Sequence, residues 1–171
     1  VMGIKIFLVG MMGSGKSYWK NRLSKQYRLR GYDLDFMIES LAEQTISEIF
    51  QEKGEAAFRV KEAAMLRWFQ QSPSYVLATG GGTPCYHGNM DWMNQQGITV
   101  WIDDTSEVLA ERLRTEKEHR PLISQLSDDE LIAFLENMRR ERSPFYYKAR
   151  HHLQGKEISD ASFQKILGID E

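Results

Sequence analysis

The chain has 171 residues, 42% of them hydrophobic and 27% charged, with a formal net charge of −2. That length suits one domain with its own core, and the near-neutral balance argues against a general nucleic-acid binder, which carries a basic excess. Its one cysteine, Cys85, has no partner for an internal disulfide, and no apolar run approaches the ~20 residues of a membrane span, so a reducing, cytoplasmic setting away from membranes is expected.

In chain order, Ile4 to Val9 reads as a short buried strand. A glycine-rich segment follows, and then a helical pattern that includes Trp19, Leu23 and Tyr27. Gly31 to Phe36 is a weaker strand candidate. Thr45-Ile46-Ser47-Glu48 fits a capping box and predicts a long helical segment to about Gln71. Tyr75 to Ala78 and Thr99 to Ile102 are further buried strands. A second capping box, Ser127 to Glu130, opens a helix with Leu131, Phe134, Leu135 and Met138 at helical spacing, predicted to end before Pro144. A last weak strand lies around His152 to Gln154. Alternating strands and helices imply a parallel α/β sheet, in which ligands bind beyond the carboxyl ends of the strands. Trp19, Trp68, Trp92 and Trp101 are read as packing residues and Cys85 as a small buried side chain. The four histidines have no metal-binding spacing.

The strongest chemical signal is Gly10-Met11-Met12-Gly13-Ser14-Gly15-Lys16-Ser17 between a strand and a helix. In a phosphate loop of this pattern, backbone N–H groups and the helix N-terminus cradle phosphates. Gly13, Ser14, Gly15, Lys16, Ser17 and Tyr18 are therefore candidate nucleotide-binding residues. Lys16 reaches the β- and γ-phosphates and the Ser17 hydroxyl ligates Mg²⁺. The loop alone does not separate a kinase from an ATPase or GTPase. Asp33 and Asp35 are two apart, which on an extended segment puts both carboxylates on one side. One could hold hydrated Mg²⁺ and the other could accept a hydroxyl proton. Gly80, Gly81 and Gly82 after the third strand permit close approach of a ligand. Arg120, in a charged stretch, could be carried by a mobile lid to the transferring phosphate.

Together with Phe58-Arg59, Arg120-Pro121-Leu122 and Arg142-Ser143-Pro144-Phe145-Tyr146, these motifs stand in the order found in shikimate kinases, and the chain resembles that family from about Ile4 to Ala149. The resemblance implies a single kinase domain over 1–171 with the nucleoside-monophosphate-kinase-like P-loop fold: a five-stranded parallel sheet flanked by helices, with a lid around 113–126. It implies ATP-dependent phosphorylation of the 3-hydroxyl of shikimate, with Mg²⁺ as cofactor, in a monomer of the aromatic amino-acid pathway. By the same resemblance Lys16, Asp35 and Arg120 are catalytic. Asp35, Arg59, Gly80, Gly81, Gly82 and Arg142 bind the acid substrate. Arg120 joins the nucleotide site, and Asp33 and Ser17 serve the metal, Asp33 through water. Either Arg112 or Arg114 lies near the adenine. Tyr18-Trp19, after Ser17, departs from the smaller residues usual there. A gluconate or nucleotide kinase of the same fold, or a regulatory ATP-binding protein, are the competing readings.

Overall fold

A computed structural model describes residues 3–117 and 120–169. Five strands form one parallel sheet: β1 (Lys5–Val9), β2 (Gly31–Asp33), β3 (Tyr75–Ala78), β4 (Ile98–Asp103) and β5 (His151–Gln154). Their order is β2-β3-β1-β4-β5. Phe7 is level with Leu77 on one side and Thr99 on the other. The central strand β1 thus lies between β3 and β4, at the point where the winding reverses, and its carboxyl end opens into a crevice.

Side chains alternate across the central strands, as a strand requires. Ile6 and Leu8 of β1, Val76 of β3, and Val100 and Ile102 of β4 pack with Leu23 and Phe163 on one face. Phe7, Val9, Tyr75, Leu77 and Trp101 face the larger core on the other. Helices α1 (Lys16–Tyr27) and α8 (Asp160–Leu167) cover the first face. The second is covered by α2 (Leu34–Ala42), α3 (Ile46–Lys53), α4 (Glu55–Arg67), α5 (Asn89–Gln96), α6 (Ser106–Arg114) and α7 (Asp128–Tyr146). The expected α/β architecture is therefore present and all strand pairs are parallel, but the candidate strand Gly31 to Phe36 stops at Asp33, where α2 begins.

Several sequence expectations need correction. The segment predicted as one helix to Gln71 is two: Gly54, with φ +84°, ends α3 and starts α4, and residues 68–71 form a 3₁₀ turn. Thr45 does cap α3, accepting from the Glu48 N–H at 3.1 Å, and Ser127 caps α7 through Glu130 at 3.2 Å. Helix α7 does not stop before Pro144 but runs to Tyr146. Proline removes one N–H donor from the ladder, and one residue earlier the Ser143 hydroxyl donates to the Arg139 carbonyl at 2.5 Å. Trp101 is fully buried, but Trp68 is 67% exposed and packs little. Cys85 is only half-buried. The segment expected as a lid links α6 to α7; two of its positions, Glu118 and His119, lie outside the described residues. Among the described residues no helix is long and apolar enough to cross a membrane.

Candidate active site

The segment between β1 and α1 is a tight phosphate loop. Gly10 has φ +145°, and a Cβ there would stand 2.3 Å from the Ile102 carbonyl oxygen, so only glycine fits. No side chain caps α1. Its free N–H groups and dipole therefore face the loop, which favours an anion. Lys16, the first residue of α1, folds its ammonium back to donate to the carbonyls of Gly10 (2.6 Å) and Met11 (2.9 Å). Burial lowers its pKa to about 8, with Arg142 and Arg120 adding repulsion and Asp35 opposing it.

Asp33 and Asp35 are not on one extended segment. Strand β2 stops at Asp33, which is the N-cap residue of α2, and Asp35 sits in the first turn of that helix. The turn sends the two carboxylates to different tasks. Asp33 Oδ1 accepts from the Ser17 hydroxyl at 2.8 Å, and its Oδ2 meets Lys20 Nζ at 2.5 Å. Asp35 packs against Gly80, where a Cβ would stand 2.7 Å from its Oδ1. Burial, followed by repulsion from Glu62, raises its carboxyl to about 6.

The next two glycines approach two arginines. A Cβ on Gly81 would stand 2.6 Å from Arg142 Nη1, and one on Gly82 would stand 2.5 Å from Arg59 Nη2. Arg59 and Arg142 come from α4 and α7, 83 positions apart, yet converge on adjacent residues. Their surroundings differ. Arg59 donates to Glu62 (3.0 Å) and Glu55 (3.2 Å), while Arg142 makes no ion pair within 4 Å among the described residues. Glu62 is fully buried and also accepts from the Thr83 hydroxyl at 2.8 Å. The Tyr146 hydroxyl, one turn beyond Arg142, donates to the Gly81 carbonyl at 2.5 Å and ties α7 to the glycine run.

A cleft of about 660 Å³ unites these parts. It is lined by Gly13 to Tyr18, both aspartates, Gly80, Gly81, Arg112 and Arg120; Arg59 and Arg142 do not line it but stand against Gly82 and Gly81. Tyr18 is 59% exposed at the rim. Arg120 is held by Glu116 at 2.9 Å. Sequence reasoning left Arg112 and Arg114 undecided. Arg112 donates to the Gly13 carbonyl at 3.0 Å, whereas Arg114 turns away to Glu111 and Asp128. It also missed Glu62 and Thr83, and gave Tyr146, the last residue of the Arg142–Tyr146 motif, no role. Glu62 alone had a local signal, since it stands three residues after Arg59 on one helix.

A phosphate loop at a sheet switch point, a carboxylate opposite it and a pair of arginines define a P-loop phosphotransferase for a small anionic acceptor. A family model described as shikimate kinase matches residues 12–169. The chain is 40% identical over 156 residues to a shikimate kinase of Phocaeicola vulgatus, covering 91% of this chain and 89% of the relative. It superposes on the crystal structure of shikimate kinase from Bacteroides thetaiotaomicron with TM-score 0.89 and 35% identity, over 97% of this chain and 99% of that one. For the Acinetobacter baumannii shikimate kinase solved in complex with shikimate, the TM-score is 0.85 at 30% identity, over 97% and 94%. The chain belongs to the shikimate kinase family.

Proposed function

We propose that the cleft transfers the γ-phosphoryl group of ATP to the 3-hydroxyl of shikimate. The observation that carries this reading is that Lys16 and Asp35 line one cleft beyond the carboxyl ends of β1 to β3, while Arg59 and Arg142 stand against Gly82 and Gly81 of the glycine run that borders it. The loop N–H groups and Lys16 take the ATP phosphates, and Lys16, with a pKa near 8, carries its charge at neutral pH. Arg59 and Arg142 bind the shikimate carboxylate, a task that suits the planar guanidinium. Gly80, Gly81 and Gly82 leave room for the ring. Asp35, with a pKa near 6, is ionised at neutral pH and accepts the proton of the attacking hydroxyl. The oxygen then bonds to phosphorus as the bond to the ADP oxygen breaks. Lys16 and Arg120 stabilise the charge that develops on the transferring group.

The donors at Ser17 and Asp33 fit Mg²⁺. Both are hard oxygens that stand 2.8 Å apart at the loop, Ser17 to ligate directly and Asp33 through water, and this ion usually keeps several waters beside few protein ligands and phosphates. Bound there, it would neutralise the β- and γ-phosphate charges. We further propose that the segment 113–126 closes as a lid that brings Arg120 inward and keeps water out. Arg112 contributes to the nucleotide side, since it already grips the loop carbonyls. The resemblance to the family supports a monomer working in the cytoplasm.

The test is ADP release from Mg-ATP, coupled to a spectroscopic readout, with and without shikimate. We expect release to require shikimate. ADP release stimulated by gluconate or a nucleoside monophosphate, and not by shikimate, would replace the substrate. ATP binding without stimulation by any small acid would point to a regulatory role.

A further inference from the structure

Lys20 stands one helical turn after Lys16 on α1, and its side chain is only 11% exposed. Its stem lies across Gly31 at the start of β2, where a Cβ would stand 3.0 Å from Lys20 Cδ. The ammonium ends 2.5 Å from Asp33 Oδ2. A long flexible side chain loses much freedom when packed in this way, so the contact is built by α1 and β2 together rather than sampled at a surface. The carboxylate it reaches is the one proposed above to serve the metal with Ser17, and the following inference rests on that reading.

An ammonium on one oxygen of a carboxylate changes what the other oxygen can do. A free Asp33 would present a full negative charge to a divalent ion and repel unmetallated phosphates. With Lys20 in place the pair is close to neutral. Attraction for Mg²⁺ is weaker, and so is repulsion of metal-free nucleotide, because at these distances a unit charge matters in either direction. Oδ2 is also occupied by Lys20, so Oδ1, beside Ser17, is the oxygen that would serve a metal ion.

We propose that Lys20 is a resident counter-ion of the Mg²⁺ site: it orients Asp33 through Oδ2 and reduces how strongly nucleotide binding depends on Mg²⁺. Lys20 is a positioning residue in this scheme, touching neither phosphate nor metal.

The experiment measures the Kd of ADP by calorimetry in EDTA and in saturating MgCl₂, and takes the ratio of the two. We expect Lys20→Met to raise that ratio by roughly three- to tenfold over the parent protein, and Lys20→Arg to keep it within about twofold. Lys20→Gln serves as a second neutral variant should Lys20→Met fold poorly by circular dichroism. In an Asp33→Asn background, Lys20→Met should change the ratio little, since the partner charge is gone. A ratio that depends on Asp33 but not on the charge at position 20 overturns the counter-ion inference alone. A ratio near one in the parent protein, unmoved by Asp33→Asn, overturns the metal assignment and this inference with it.

Discussion

Gly82 lies against the guanidinium of Arg59: a methyl group built on Gly82 would stand 2.5 Å from Nη2, 2.8 Å from Nη1 and 2.9 Å from Cζ. Real Cβ contacts do not come this close, and the guanidinium is fixed by Glu62, so it has little room to yield. Gly82→Ala should therefore push Arg59 off its position. We expect the KM for shikimate to rise about tenfold or more while the KM for ATP stays within about twofold. Steady-state kinetics with each substrate varied in turn checks this; a higher ATP KM with a normal shikimate KM would place the glycine run on the nucleotide side.

Glu62→Ala should act on the same arginine through stability. Arg59 is about a tenth exposed and Glu62 almost wholly buried. Removing Glu62 leaves the buried guanidinium with only the half-exposed Glu55 and deprives the Thr83 hydroxyl of its acceptor, which costs about 3 kcal/mol. Urea denaturation should show that loss. Arg142→Ala, with no ion pair to break among the described residues, should weaken shikimate binding with a stability change below about 1 kcal/mol.

Asp35 joins function to a stability cost. Its folded pKa is raised from 3.8 to about 6, chiefly by burial. The protonated form is the one the fold favours, so this group's contribution is fully present below pH 3.8 and is lost as pH rises through 6. Asp35→Asn should thus stabilise the protein by about 1–2 kcal/mol at pH 7.5. The gain should shrink towards pH 4. Turnover should fall by at least about 100-fold, with ADP affinity almost unchanged. Thermal melts across pH and calorimetry with ADP separate these effects; collapse of ADP binding would assign Asp35 to the nucleotide site.

Lys16 titrates within reach of ordinary buffers. Burial holds its pKa near 8, and phosphate oxygens favour its charged form. At pH 8.5, ADP binding should take up a fraction of a proton, visible as a binding enthalpy that varies with the ionisation heat of the buffer. Without nucleotide the sign for stability is opposite to that of Asp35. The unfolded lysine holds its proton to about 10.5, so this group's contribution to stability grows as pH rises from 8 to 10.5. No buffer dependence at pH 8.5 would mean that Lys16 is already fully protonated before phosphate arrives.

Much of the site was legible because its signals are local. Gly10 to Ser17 carries its own turn, and the helix that follows supplies the dipole. Short apolar runs alternating with capped helices already specify a parallel sheet with ligands at the carboxyl ends of its strands. The resemblance added Arg59 and Arg142, which no local pattern distinguishes from surface arginines. What misled were places where one residue overrides a pattern. Gly54 cuts a helix whose periodicity runs through it, and α7 continues through Pro144 into the turn that holds Tyr146 against Gly81.

By itself, then, the sequence determined the phosphate loop and the layer architecture, which rest on residues within a turn or two of one another, and it named the charged groups through the order of motifs along the chain. The tertiary structure alone decided how those charges are used. Helix α2 begins at Asp33 and so separates two aspartates that a strand would have aligned, giving one to Ser17 and Lys20 and the other to the cleft wall beside Gly80. Helices α4 and α7 bring Arg59 and Arg142 onto neighbouring glycines, one guanidinium neutralised by a buried glutamate and the other without an acidic partner among the described residues. Charge in a protein acts through distance and burial, and both are set by which elements pack together across the sheet.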